Sequence, residues 1–191
     1  MIMKIGLYFG SFNPIHHGHL IIAKHILEHT SLQQVWFVVS PQNPLKPSNG
    51  LLNEYHRLHL VNLAIEGEPD FKASDIEFRL PKPSYTIDTL TYLQEKYPSH
   101  EFTVLMGSDS FENLPKWKNH EQLLKNYNIV VYERPGHPVQ PPIPKQVMIL
   151  KAPLLEISAT HIRQSIKNNK SIRFLVPDSV KQEIERNGYY K

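Results

Sequence analysis

Five short apolar runs recur along the chain: KIGLYF (4–9), VWFVVS (35–40), EFTVLMG (101–107), NIVVY (128–132) and QVMILK (146–151). Between them lie stretches with the 3.6-residue period of helices. No other feature constrains the fold as much. Strands that read as continuous apolar runs are buried on both faces, and strands alternating with helices build parallel βαβ units. The expectation is an α/β chain with a doubly wound parallel sheet flanked by helices. No repeat or compositional break divides it, so residues 1–191 are expected to form one domain.

The connecting segments agree. GHLIIAKHILEH (18–29) places Leu20, Ala23, Ile26 and Leu27 on one helical face, and NEYHRLHLVNLAIEG (53–67) runs from a cap at Asn53 to Gly67. SYTIDTLTYLQEKY (84–97), HEQLLKNY (120–127) and segments at about 159–168 and 178–187 also read as helices. FKASDIEFRL (71–80) predicts extended chain, and the proline-rich stretches 41–50 and 137–145 predict loops. In open parallel sheets ligands bind outside the carboxyl ends of the strands. That rule gathers residues 10–19, 40–46, 107–109 and 134–136 at one rim.

Composition removes several functions. The chain has no cysteine, so disulfides, thiolate metal sites and a cysteine nucleophile are excluded. A formal net charge of +3 suits anionic ligands but does not by itself imply nucleic-acid binding. No run approaches the roughly 20 apolar residues of a membrane span, and no signal peptide is visible, so the expected location is the cytoplasm.

FGSFNPIHHGHL (9–20) leaves the first strand, turns, and opens a helix with His16, His17 and His19 around Gly18. A helix N-terminus carries unpaired amides and suits phosphate. Glycines at 10 and 18 allow close approach, while His16 and His19, three apart, share one side of the helix. Zinc is a rival, but it requires three or four converging ligands and no carboxylate lies nearby in sequence. Simple turn-capping is another rival. Near the other end, Ser158 or Thr160 can cap a helix whose first turns carry Arg163, a phosphate fork.

GSFNPIHHGH resembles the GxFxPxHxGH signature of the nucleotidyltransferase superfamily, and ISATHIRQSI (157–166) resembles its ISxTxIR signature, about 140 residues on. Further in, SYTIDTL (84–90), LMGSDSFENLPKWKNHEQLL (105–124) and ERPG (133–136) resemble segments of bacterial nicotinate-nucleotide adenylyltransferases. The resemblance covers essentially the whole chain. It implies the Rossmann-like nucleotidyltransferase fold and transfer of the adenylyl group of ATP to nicotinate mononucleotide, with pyrophosphate leaving.

Carried over, it implies His16, His19 and Arg163 as catalytic residues. Gly10, Ser11, Phe12, Gly18, Lys46, Gly107, Asp109, Ser158 and Thr160 would bind ATP, while Asn13, Thr86, Trp117 and Arg134 would bind nicotinate mononucleotide. Trp117 offers a face on which a pyridine ring stacks, and Asp109 can accept from ribose hydroxyls. Mg²⁺ is expected to arrive with ATP, held mainly by phosphate oxygens, with no dedicated protein metal site. The expected partners are these two substrates, without nucleic acid or membrane; homo-oligomers are common in such enzymes, and no patch in the sequence counts subunits. The remaining rivals are a sibling transferase acting on nicotinamide mononucleotide or phosphopantetheine, a zinc hydrolase, and a non-catalytic nucleotide-binding protein.

Overall fold

The computed structural model describes residues 2–42, 50–153 and 156–191. Six strands form one sheet: β1 (Met3–Gly10), β2 (Gln34–Val39), β3 (Phe71–Ser74), β4 (His100–Gly107), β5 (Asn128–Tyr132) and β6 (Val147–Leu150), in the order β3-β2-β1-β4-β5-β6. Every neighbouring pair is parallel. The order reverses between β1 and β4, which opens a crevice at the carboxyl ends of these two central strands.

Because the sheet is covered on both faces, successive strand residues feed two cores. Tyr8 and Leu105 join one, with Ile22 and Ile26 of α1 (His17–His29), Leu60 and Val61 of α2 (Glu54–Ala64), Ile162 of α6 (Ala159–Lys167) and Ile184 of α7 (Asp178–Asn187). Ile5, Leu7, Val104 and Met106 join the other, with Leu90 and Leu93 of α3 (Thr86–Lys96) and Leu123 of α5 (His120–Asn126). Between β4 and α5 lie a short helix, α4 (Ser108–Glu112), and a 3₁₀ turn at Leu114–Lys116.

Two expectations are corrected. Residues 71–80 are extended only through Ser74, after which Ile76–Arg79 form a 3₁₀ turn. Ile76 N–H donates to Ser74 Oγ, and the turn tucks Glu77 inward, where its carboxylate accepts from Ser84 and Thr89. The helix from Asn53 ends at Ala64 rather than Gly67. Asn53 caps it as expected, accepting from Tyr55 N–H at 2.9 Å.

Candidate active site

The turn after β1 is shaped by Phe12. This residue holds a left-handed φ of 44°, uncommon for a large side chain. Its ring folds back over Gly10, where an added Cβ would stand 2.9 Å from Cζ, and packs edge-on against Tyr8, His19 and Phe37. Packing thus fixes a conformation the backbone alone disfavours. Asn13 is buried and stitches the turn to the approach of α2, donating to Gly50 O at 3.0 Å and accepting from Leu52 N–H at 3.1 Å.

His16 and His19 stack face to face, with ring centroids 3.7 Å apart. His16 N–H donates to His19 Nδ1 at 3.3 Å, so the neutral His19 ring carries its proton on Nε2. His16 is 6% exposed. Burial, with smaller contributions from Arg134 and His17, lowers its pKa to about 4, so near pH 7 it is a neutral imidazole rather than a cation. Among the described residues its Nδ1 is a buried nitrogen without a hydrogen-bond partner.

The second motif is tied to the first. Ser158 Oγ caps α6 by accepting from His161 N–H at 3.1 Å. Arg163, one turn on, donates from Nη1 to Asn13 O at 2.8 Å and from Nη2 to Thr160 Oγ1 at 3.3 Å. His16, His19, Arg163, Ser158, Thr160 and Arg134 all border one cavity of about 430 Å³.

A larger cavity of about 720 Å³ adjoins it, bordered by Ser40, Glu77, Thr86, Lys116, Trp117 and Lys118. Glu77 is 2% exposed; its oxygens accept from Ser84 Oγ at 2.6 Å and Thr89 Oγ1 at 2.9 Å. Burial raises its pKa despite those bonds. Tyr8, Gly10, Ser11, Asp109 and Tyr132 border both cavities. In that shared wall the Tyr8 and Tyr132 hydroxyls are 3.0 Å apart, and Arg134 donates to Tyr132 and to Asp109, each at 3.3 Å. Burial, then the neighbouring Tyr132, push the Tyr8 hydroxyl well above its ordinary pKa. At Gly107 an added Cβ would meet the Asp109 carboxylate and stand 3.0 Å from Arg134 Nε, so those side chains would have to shift to admit it.

The cytidylyltransferase-like family profile matches residues 7–165. A protein of Flavobacterium psychrophilum named probable nicotinate-nucleotide adenylyltransferase is 53% identical over 192 residues, spanning 99% of this chain and 100% of the relative. This chain belongs to the nicotinate-nucleotide adenylyltransferase family. The Bacillus subtilis nicotinate-nucleotide adenylyltransferase is 36% identical over 188 residues, 98% of either chain. The adenylyltransferase family's fold is also that of a solved structure, Plasmodium falciparum nicotinic acid mononucleotide adenylyltransferase complexed with NaAD. It superposes with a TM-score of 0.84 at 21% identity, covering 98% of this chain and 97% of that one.

In this member of the adenylyltransferase family, most of the residues singled out from sequence fall into three groups. His16, His19, Phe12, Ser158, Thr160 and Arg163 border the smaller cavity, Thr86, Trp117 and Gly107 the larger, and Gly10, Ser11 and Asp109 both. Asn13 and Arg134, grouped by resemblance with the acceptor's residues, border the histidine cavity and not the Trp117 cavity. Gly18 is buried in the first turn of α1, and Lys46 lies outside the described residues. Sequence reasoning missed Tyr8, Tyr132 and Glu77. Among the described residues, no three or more His, Cys, Asp or Glu converge in a way that could hold a metal ion.

Proposed function

We propose that the chain transfers the adenylyl group of ATP to nicotinate mononucleotide, forming nicotinate adenine dinucleotide and pyrophosphate in NAD biosynthesis. Residues 1–191 act as one nucleotidyltransferase domain in the cytoplasm. The observation that carries this reading is the pair of cavities meeting at Gly10, Ser11, Tyr8 and Asp109. One has the polar groups that suit a triphosphate. The other has an indole that suits a pyridine ring.

The 5′-phosphate of the acceptor is already anionic, so it needs no general base. Its oxygen forms a bond to the α-phosphorus of ATP in line with the bond that breaks to the β-phosphate bridging oxygen. Catalysis is positioning plus electrostatic stabilisation. His16 and His19 donate hydrogen bonds to the transferring phosphoryl group, and Arg163, fixed by Asn13 and Thr160, holds the departing pyrophosphate. Ser158 and the capped start of α6 face the nucleotide, while Lys46 adds charge at the phosphates. Asp109 receives the ribose hydroxyls once Arg134 releases it.

Mg²⁺ neutralises phosphate charge when bound. The donor set fits a metal delivered on the nucleotide, because among the described residues Asp109 is the single carboxylate that borders the histidine cavity.

In the larger cavity Trp117 stacks the pyridine. The start of α3 offers its amides to the carboxylate, since Tyr85, its N-cap residue, makes no side-chain cap bond. One observation favours the sibling acceptor: Glu77 borders this cavity, and a carboxylate there attracts an amide N–H and repels a carboxylate. Pyrophosphate release from MgATP, with nicotinate or nicotinamide mononucleotide supplied separately, decides. Strong preference for the nicotinate form is expected. Preference for the amide form overturns the acceptor, and release with neither overturns the activity.

A further inference from the structure

The fold buries one arginine completely. Arg57 lies on α2 in the stripe that Leu60 and Val61 continue, and its relative exposure is 0%. Among the described residues its guanidinium bonds only main-chain carbonyls. Nε donates to Leu52 O at 2.7 Å, Nη1 to Ser11 O at 2.5 Å and Ser40 O at 2.8 Å, and Nη2 to Pro41 O at 3.1 Å. Glu54, the carboxylate one turn earlier, is taken by Lys82 at 2.6 Å. An apolar side chain would occupy this stripe without the penalty of burying a charge on neutral acceptors.

What the guanidinium does is join three segments that are distant in sequence: the turn after β1, the exit of β2 and the approach to α2. The first of these carries Phe12 in its left-handed conformation. Ser11 O, just before Phe12, is held by Arg57, and Asn13 O, just after it, by Arg163. The strained residue is clasped from both sides. Ser11 borders both cavities and Ser40 borders the Trp117 cavity, so the clasp acts at the seam where the two substrates must meet.

We infer that Arg57 is a positioning residue for the transfer reaction: it touches neither substrate and aligns the two cavities through Ser11 and Ser40. The inference rests on the adenylyl transfer proposed above. Its signature is loss of turnover without loss of binding, because each cavity keeps its own lining.

The test is Arg57→Lys, which keeps the charge but cannot fork to four carbonyls. The variant is to be compared with the parent chain for ATP and nicotinate mononucleotide affinity, turnover, and folding by circular dichroism. Both dissociation constants should stay within about threefold while kcat per folded protein falls roughly ten- to hundredfold. Turnover retained with only a lower Tm would make Arg57 merely structural and overturn the inference. So would loss of affinity for a single substrate, or failure of both Arg57→Lys and Arg57→Met to fold. If the unmodified chain releases no pyrophosphate with any acceptor, the functional reading fails and the inference falls with it.

Discussion

At the scale of single residues, the proposed mechanism uses His16 as a neutral donor. His16 has a folded pKa of about 4 against an ordinary 6.5. As pH falls below 6.5 the unfolded chain takes up a proton that the folded chain refuses, so stability drops between about 6.5 and 4, by about 3 kcal/mol in all. Above 6.5 this contribution is flat. His16→Gln should therefore lose less Tm than the parent chain when melts at about pH 7.5, above that window, and about pH 5, inside it, are compared. An equal loss in both would assign the acid sensitivity elsewhere. For His19, whose Nε2–H is set by the bond to Nδ1, replacement by Ala should lower kcat by roughly 10²–10³ with the fold retained. Wild-type turnover in the purified variant would remove it from the mechanism.

Some of this chemistry was legible in the chain and some was not. His16, Gly18 and His19 stand out through short spacings, which survive any detail of packing, while Arg163 enters through the resemblance of ISATHIRQSI to the second signature. The charge of His16 does not, because it depends on burial that neighbouring elements provide. Arg57 was invisible for the opposite reason. An arginine in a helix normally belongs to the solvated face, and only its place in the stripe with Leu60 and Val61 hints at burial. That place is a usable signal, since a charge at a core position implies acceptors arriving from elsewhere.

At the scale of elements, α6 couples its own cap to the site. Ser158→Ala removes the bond to His161 N–H and should cost about 1 kcal/mol, lowering Tm by about 2–4 °C. It should also weaken ATP binding, because Arg163 and Thr160 ride on the same first turns. A Tm shift with unchanged ATP affinity would confine the cap to stability. Five of the six strands were readable because they are apolar runs, whereas β3, FKAS, is not. Residues 71–80 misled because Ile76 and Phe78 alternate with polar neighbours as a strand would, while the turn answers to Glu77 finding Ser84 and Thr89. Those hydroxyls arrive from a segment that local pattern does not reach.

At the scale of the whole molecule, β6 lies three places from β1 in the order β3-β2-β1-β4-β5-β6. Motifs at opposite ends of the sequence meet because Ile162 of α6 packs into the core shared by β1 and α1 and Arg163 bonds Asn13 O. Alternation of element types predicts the parallel sheet; strand order needs the pairing itself. The shared wall of Tyr8, Ser11, Asp109 and Tyr132 then has a kinetic meaning. Under the proposed transfer, each mononucleotide arriving touches mainly one cavity, while the dinucleotide formed touches both and is a bivalent guest. For it to leave, both ends must detach within the same interval, since an end that lets go alone is returned by its tether. Rapid mixing should thus show a burst of pyrophosphate, one equivalent per site, before slower steady turnover. A linear trace from the first turnover would mean that the two halves of the product part from the protein independently.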